Sequence, residues 1–254
     1  MDTDNTYTEI DKLKQQKVLE IVSSSFYKEL VKYGIGKSDI VSVSMNLLDY
    51  ATDNNNGSSS TSKSLYEFNI SDINDSWQKS KKLVLQDVSI QELKNDHVNV
   101  IVDWLKSNEI NGTFIGFFPK EAKALKKYMI DSPDKKYFAI YFLEKFVGII
   151  GAERINEKFS KLEMKKFIGN KEFQGKGIAK SSTFLFLYYA FRILGYNKVY
   201  IHSMDTNIKN INLNSHFGFN LEGLLYNEVS VDEVFHDVIR MGLIKKKWKQ
   251  LFAG

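Results

Sequence analysis

Residues 161–191 read KLEMKKFIGNKEFQGKGIAKSSTFLFLYYAF, and this stretch decides the fold. Its first part, KLEMKKFIG, is typical of a strand, and the apolar run after Gly177 predicts a long helix to Leu194, closed by Gly195. Between them, residues 174–179 (QGKGIA) place two glycines where the helix begins. Main-chain N–H groups and the positive end of the helix dipole converge there, so the turn predicts a phosphate site. A purely structural turn fits the two glycines alone equally well.

The elements around this stretch alternate between strands and helices from about Lys82 onward. Residues 137–155 predict two strands joined by a tight turn near Glu144 and Lys145. This order predicts an α/β (α+β) fold, with a mixed central sheet and helices on both faces. Further strands are predicted at 82–90, 198–204, 219–231 and 234–244, and helices at 95–107, at 119–132 with Pro119 in the first turn, and at 207–217.

The N-terminal part of the chain, residues 1–80, is expected to be a helical extension with a polar connector, and residues 81–254 a second domain. An amphipathic helix is predicted at 10–33, followed by a second helix that begins at Ser38 or Asp39. The polar run TDNNNGSSSTSKS at 52–64 has no hydrophobic period, which indicates a linker or a long surface loop. A strand is expected after it, at 65–70.

The composition excludes several classes of protein. The chain has 254 residues, 43% of them apolar and only 2 of them proline, so a packed core is expected rather than disorder. The absence of cysteine excludes disulfides, thiolate metal sites and cysteine nucleophiles. The net charge of +4 comes from lysines dispersed along the chain, so no nucleic-acid partner is expected. No signal sequence or membrane-length apolar run is found, which predicts a cytoplasmic protein without a membrane partner.

Two motifs follow one another along the second half of the chain. Gln174-x-x-Gly177-x-Ala179 follows a strand and opens a long helix. Asn207 then begins a shorter helix that ends in His-Phe-Gly-Phe at 216–219. In this order the motifs resemble the GNAT superfamily of N-acetyltransferases, and the resemblance implies the GNAT fold and acyl-CoA as the co-substrate.

The resemblance covers about residues 82–244, which assigns the acyltransferase to the domain 81–254. Within the superfamily, the closing segments GFNLEG and FHDVIRMGL are most similar to ribosomal-protein N-acetyltransferases and to enzymes that acylate amino groups on nucleotide-linked sugars.

In the superfamily, the strand, the glycine turn and the later helix form the coenzyme A site. The resemblance implies that the pyrophosphate rests on the N–H groups of the turn, and that a main-chain N–H of Phe167 or Ile168 binds the thioester oxygen as it gains charge. No metal site is implied. The residues expected to contact coenzyme A are Phe167, Ile168, Gln174, Gly175, Lys176, Gly177, Ile178, Ala179, Asn207 and Asn214.

The catalytic candidates are Glu163, Asn207, Asn214 and Ile168. Many relatives carry a tyrosine that protonates the thiolate at the position of Asn214, and an amide cannot give up a proton at neutral pH. Asn207 and Asn214 are therefore expected to contact the cysteamine end. Glu163 is either a base that acts through water or a surface carboxylate.

Other titratable groups are weaker candidates. Glu153 is a second possible base. His216 and His236 titrate near neutrality, but one lies beside the Phe-Gly-Phe turn and the other precedes Asp237, which resembles a fold-stabilising position.

The resemblance implies an acyl-CoA-dependent N-acyltransferase that acts on the amine of a dTDP-linked 3-amino-3,6-dideoxy or 4-amino hexose, in O-antigen or capsule synthesis. The acyl group would be acetyl or a short hydroxyacyl such as 3-hydroxybutanoyl. The alternatives are a ribosomal-type protein N-terminal acetyltransferase and a non-catalytic acyl-CoA-binding module. Residues 1–80 would form an acceptor-binding or interaction region, and a homo-oligomer is possible.

Overall fold

The structure is a computed structural model that describes residues 3–36, 39–40, 43, 68–106, 118–204, 207–231 and 233–252. The chain forms two compact units, Met1–Ser60 and Thr61–Gly254. The functional division near residue 80 stays a prediction.

The N-terminal unit contains helix α1, Thr3–Lys32, which confirms the predicted helix and begins earlier than expected. Its apolar side chains at Val18, Ile21 and Val22 are exposed. The polar run 52–64 lies outside the described residues, as does most of the predicted second helix, of which positions 39, 40 and 43 are helical.

The second unit is built on one nine-stranded sheet with the order β1-β2-β3-β4-β5-β6-β7-β9-β8. All neighbouring strands are antiparallel except β6 and β7, which are parallel, so the sheet is mixed as predicted. The strands are β1 Asn74–Asp75, β2 Lys82–Leu85, β3 Val88–Glu92, β4 Lys136–Phe142, β5 Lys145–Asn156, β6 Lys161–Ile168, β7 Lys198–Met204, β8 Asn220–Val231 and β9 Val234–Ile244.

Helices cover both faces of this sheet, which confirms the predicted α/β class. Ile149 and Ile150 are successive residues of β5, and their side chains enter two different cores, as alternation along a strand requires. The helices of the second unit are α2 Trp77–Ser80, α3 His97–Lys106, α4 Ala122–Met129, α5 Ile178–Tyr188, α6 Ile208–His216 and α7 Lys245–Phe252.

Each core belongs to a different set of helices. The core that contains Ile149 also contains Ile101 of α3 and Leu125 of α4. The core that contains Ile150 includes Phe184 of α5 and Trp248 of α7. The sheet therefore has an α3/α4 face and an α5/α7 face.

Three local predictions were wrong. Residues 82–90 are two strands rather than one, because Gln86 adopts a φ of 53° and the chain turns there. The helix predicted from Pro119 begins at Ala122, with Glu121 in an extended conformation before it. The strand expected at 65–70 is not formed where it is described, since Ile70–Asp72 is a 3-10 turn.

The long helix predicted to end at Leu194 is confirmed. It is formed by α5 and by a π-helical turn, Tyr189–Ile193, that continues it, and Gly195 follows with a φ of 74°.

Within the described ranges, no helix combines the length and the apolar character that a membrane span needs.

Candidate active site

Strands β6 and β7 pair only over their first three residues, from Lys161 opposite Lys198 to Glu163 opposite Tyr200. Beyond that point β6 stays bonded to β5 and β7 stays bonded to β9, so the two parallel strands separate. A cavity of about 410 Å³ lies in the opening, lined by the second half of β6, by β7, by the glycine turn and by α6.

The glycine turn forms one end of the cavity, where Gln174, Gly175 and Ala179 contribute to the wall. Gly175 and Gly177 have φ angles of 78° and 77°, which favour glycine over any other residue. Within the described chain, the main-chain N–H groups of residues 175–179 donate to no protein acceptor. Successive free N–H groups at a helix N-terminus are the donors that bind phosphate in proteins.

Side chains of β6 point alternately to the two faces of the sheet beside the opening. Leu162, Met164 and Ile168 enter the core of the α5/α7 face, whereas Phe167 packs against the core of the α3/α4 face. Lys166 therefore points to the α5/α7 face. Its Nζ donates to Oδ1 of Asn214 at 3.1 Å, and burial lowers the pKa of Lys166 to about 7.

Helix α6 positions the amides on this face. Asn207 caps the helix by accepting from the N–H of Asn210 at 3.3 Å. Asn214 is fully buried and donates from Nδ2 to the Asn210 carbonyl at 2.7 Å. Asn210 in turn donates to Oγ of Ser203 on β7 at 3.2 Å. These bonds fix the orientation of the Asn214 amide, with its oxygen toward Lys166.

Glu163 is buried on the α3/α4 face and is surrounded by cations. Its Oε1 accepts from Nζ of Lys165 at 2.6 Å and from Nδ1 of His202 at 3.0 Å, and its Oε2 lies 3.3 Å from the guanidinium of Arg154. Burial raises the pKa of Glu163, but the hydrogen bond from His202 and the charge of Lys165 outweigh it and lower the pKa to about 2. A carboxylate held this way is a weak base.

His202 is the functional candidate that sequence reasoning missed. Its side chain is 9% exposed and lines the cavity, and its Nδ1 donates to Glu163 because an ionised carboxylate can only accept. The other nitrogen, Nε2, makes no hydrogen bond to a described residue. A neutral imidazole oriented by a carboxylate is a common general base.

The other proton-transfer candidates lie elsewhere. Glu153 is buried and accepts from the hydroxyls of Tyr128 and Tyr137, each at 2.5 Å. His216 is exposed at the end of α6 and donates from Nδ1 to the Asn212 carbonyl at 2.6 Å. Neither lines the cavity, and His236 does not line it either.

The structure brings seven of the predicted site residues to the cavity wall and leaves four outside it. Within the described residues there is no cluster of His, Asp or Glu that could hold a metal ion. The wall includes Phe167, Ile168, Gln174, Gly175, Ala179, Asn207 and Asn214, while Glu163, Lys176, Gly177 and Ile178 are not part of it. Glu163 approaches the cavity only through His202 and Lys165, and Ile178 is buried in the core.

The sequence family described as the acetyltransferase (GNAT) domain matches residues 87–220, just over half of the chain. The chain belongs to the GNAT acetyltransferase family. It is 28% identical to the spermidine N(1)-acetyltransferase of Vibrio cholerae over 131 residues, which cover 52% of this chain and 75% of that protein. It is 27% identical to the Escherichia coli K12 spermidine N(1)-acetyltransferase over 122 residues, 48% and 64% of the two chains.

Among solved structures, the dodecameric spermidine N-acetyltransferase from Vibrio cholerae superposes on this chain with a TM-score of 0.57 and 23% sequence identity. The superposition covers 64% of this chain and 96% of the Vibrio cholerae chain, which shows that the two share a fold. This GNAT chain is an N-acetyltransferase, and acetyl-CoA is its co-substrate. The predicted fold, enzyme class and co-substrate are therefore confirmed.

Proposed function

We propose that this GNAT enzyme binds acetyl-CoA in the opening between β6 and β7. The pyrophosphate would lie on the free N–H groups of the turn at 175–179, and the pantetheine arm would extend along the separated edge of β6. Main-chain N–H groups of Phe167 or Ile168 would then stabilise the charge on the thioester oxygen, and one such donor contributes about 2.7–4 kcal/mol.

The acceptor would enter from the α3/α4 face, where His202 would take the proton from its amine. The structure supports this role through the bond from Nδ1 to Glu163, which leaves Nε2 as the basic nitrogen. Glu163 would orient the imidazole rather than act as the base, because Lys165 and Arg154 already neutralise its charge.

The acceptor amine would be carried by a molecule with negative charge, of which a nucleotide-linked amino sugar is one class. One observation carries this proposal: the titratable side chains among the described lining residues are all basic. They are Lys165, Lys166, His202 and Lys209. The two nearby carboxylates already have partners: Glu163 forms ion pairs with cations, and Glu153 accepts hydrogen bonds from two tyrosine hydroxyls. A basic cleft attracts anionic substrates and repels polycations.

Spermidine is the second candidate, because it is named as the acceptor of the relatives from Vibrio cholerae and Escherichia coli. A polyamine would need carboxylates that the described cavity wall lacks. Since one structurally similar enzyme is a dodecamer, we also expect this chain to form a homo-oligomer.

A thiol-release assay with acetyl-CoA tests the acceptor. The panel contains dTDP-linked 3-amino-3,6-dideoxy and 4-amino hexoses, the same amino sugars without the nucleotide, spermidine, and a peptide with a free N-terminus. We expect turnover with the nucleotide-linked sugars and a higher KM when the nucleotide is removed. Turnover with spermidine or the peptide, but not with the sugars, would overturn the proposed acceptor. A second series with 3-hydroxybutanoyl-CoA tests the acyl group.

A further inference from the structure

One basic side chain of the cavity has a position that suggests a role beyond the attraction of an anionic acceptor. Lys165 and His202 are bound to Glu163, and Lys209 is an exposed residue of α6. Lys166 points to the α5/α7 face, the same face on which the glycine turn opens α5. Its Nζ donates to Asn214, which is expected to contact the cysteamine end of the pantetheine arm.

We propose that Lys166 is the catalytic acid that protonates the departing thiolate of coenzyme A. This role rests on the proposed placement of acetyl-CoA between β6 and β7, and it places base and acid on opposite faces of the opening. His202 on the α3/α4 face would accept a proton, and Lys166 on the α5/α7 face would donate one.

The step balances without another reactant. The amine nitrogen forms a bond to the acetyl carbon and loses its proton to Nε2 of His202. The carbon–sulfur bond breaks, its electron pair stays on sulfur, and the sulfur takes a proton from the Lys166 ammonium. The products are the acetamide and free coenzyme A thiol, and solvent returns a proton from His202 to neutral Lys166.

Burial makes Lys166 acidic enough for this transfer. A lysine with its usual pKa would give its proton to a thiolate unfavourably, because a thiol has a pKa near 8.5. Burial lowers the pKa of Lys166 to about 7, so the transfer is favourable. The charged groups that share the cavity are Lys165 on β6 itself, His202 on β7 and Lys209 on α6, whereas α5 and β5 contribute none to its described wall.

Asn214 supports the same role. Its oxygen accepts from Lys166 at 3.1 Å and so holds the ammonium in place. A neutral amide fixes the position of the group without stabilising the charge as a carboxylate would. An aspartate at this position would raise the pKa of Lys166 and retain its proton.

The first test needs no acceptor. The rate at which trinitrobenzenesulfonate modifies Lys166 is followed across pH by peptide mass spectrometry, with and without coenzyme A bound to the full chain. We expect this rate to rise with a midpoint near pH 7, where the neutral amine forms, and bound coenzyme A to slow it at least about tenfold because Lys166 then contacts the ligand. The control is Lys158, an exposed lysine in the turn between β5 and β6, whose rate of modification should not change when coenzyme A binds.

The outcomes are distinguishable. A modification rate of Lys166 that bound coenzyme A does not slow, or that shows no midpoint near pH 7, overturns the role of Lys166 and leaves the proposed function intact. Failure of the unaltered enzyme to bind coenzyme A in a calorimetric titration overturns both.

Steady-state kinetics with acetyl-CoA and an accepted amine give a second readout. Lys166→Met should lower kcat by about 10²- to 10⁴-fold and remove the decline in kcat above about pH 7. Asn214→Asp should move that decline to higher pH. S-4-nitrophenyl thioacetate is then used as the acyl donor in place of acetyl-CoA, because its thiol leaves without protonation. With this donor, the kcat values of Lys166→Met and of the unaltered enzyme should differ less. If kcat of Lys166→Met still declined above about pH 7 as it does in the unaltered enzyme, the proposal would be contradicted.

Thermal unfolding checks that the variant folds. The pKa of Lys166 in the folded protein lies below its value of 10.5 in the unfolded chain, so its charged form destabilises the fold, and this effect fades as pH rises between the two values. Lys166→Met should therefore raise Tm more at about pH 6 than at about pH 10. No pH dependence of this difference would show that Lys166 is not desolvated.

Discussion

Glu163 and His202 are 39 residues apart in the chain and share a hydrogen bond of 3.0 Å. The contact exists because β6 and β7 are parallel and adjacent up to Glu163, and the strands separate just beyond it. The carboxylate of Glu163 therefore binds both His202 and Lys165. Nε2 of His202 remains available to accept a proton. At the scale of single residues, the candidate base is the histidine and not the carboxylate.

His202→Ala should lower kcat by about 10²- to 10⁴-fold, because the attacking amine then loses its proton acceptor. Glu163→Gln should have a smaller effect, since an amide oxygen can still accept from Nδ1. The matched control is His216→Ala, because that histidine is exposed and lies outside the cavity. Steady-state kinetics with saturating acetyl-CoA measure all three. A kcat for His202→Ala equal to that of the control would exclude His202 as the base.

The glycine turn and the two asparagines of α6 could be predicted because each lies in a local pattern: Gly175 and Gly177 precede a helix, and Asn207 begins one. His202 has no such pattern. It is a single histidine in a strand, and its significance depends on a partner that only the sheet brings near. Lys166 is similar, since its acidity comes from burial beside α6.

Helix α5 carries the glycine turn, so its packing determines where the free N–H groups point. Phe184 anchors the helix: its ring centroid lies 5.1 Å from that of Phe68 and 5.1 Å from that of Phe252 in α7. Its side chain is fully buried. The helix whose N-terminus is proposed to bind the diphosphate is thus held in place by the aromatic contacts of Phe184.

Phe184→Ala should lower the free energy of unfolding by about 3–5 kcal/mol, because it removes a buried ring and leaves a cavity. Phe159→Ala is the matched control, since Phe159 is 62% exposed and its loss should change stability by less than about 0.5 kcal/mol. Urea denaturation of both variants measures the difference. Equal stability of the two variants would show that Phe184 does not anchor α5.

Most elements of the second unit could be predicted from hydrophobic period and turn residues, and the exceptions have physical causes. The turn between β2 and β3 uses Gln86 at positive φ, a residue that gives no turn signal. Helix α7 follows β9 without a break. Its apolar face consists of Trp248, Leu251 and Phe252 at helical spacing, but the three lysines that precede them make the segment polar on average, so the helix is not evident from the sequence. The separation of β6 and β7 depends on the register between distant segments.

At the scale of the whole molecule, every residue of the cavity wall belongs to the unit Thr61–Gly254. Removal of residues 1–60 should therefore leave the Kd for acetyl-CoA within about twofold. If the N-terminal extension binds the acceptor, the same truncation should raise the KM for the acceptor. Calorimetry and steady-state kinetics on the truncated and full chains measure the two effects. A large loss of acetyl-CoA affinity in a folded truncation would contradict this division of roles.

The main-chain N–H groups at the start of α5 are proposed to hold the diphosphate of acetyl-CoA. Calorimetric titration of acetyl-CoA into Gly177→Ala and Gly195→Ala tests this site, because both glycines have positive φ, 77° and 74°, and only Gly177 lies in the glycine turn. Both variants carry a similar backbone strain of about 1–2 kcal/mol. We expect at least about tenfold weaker binding, ~1.4 kcal/mol, for Gly177→Ala and unchanged binding for Gly195→Ala. Equal affinity of the two variants for acetyl-CoA would contradict the proposed diphosphate site.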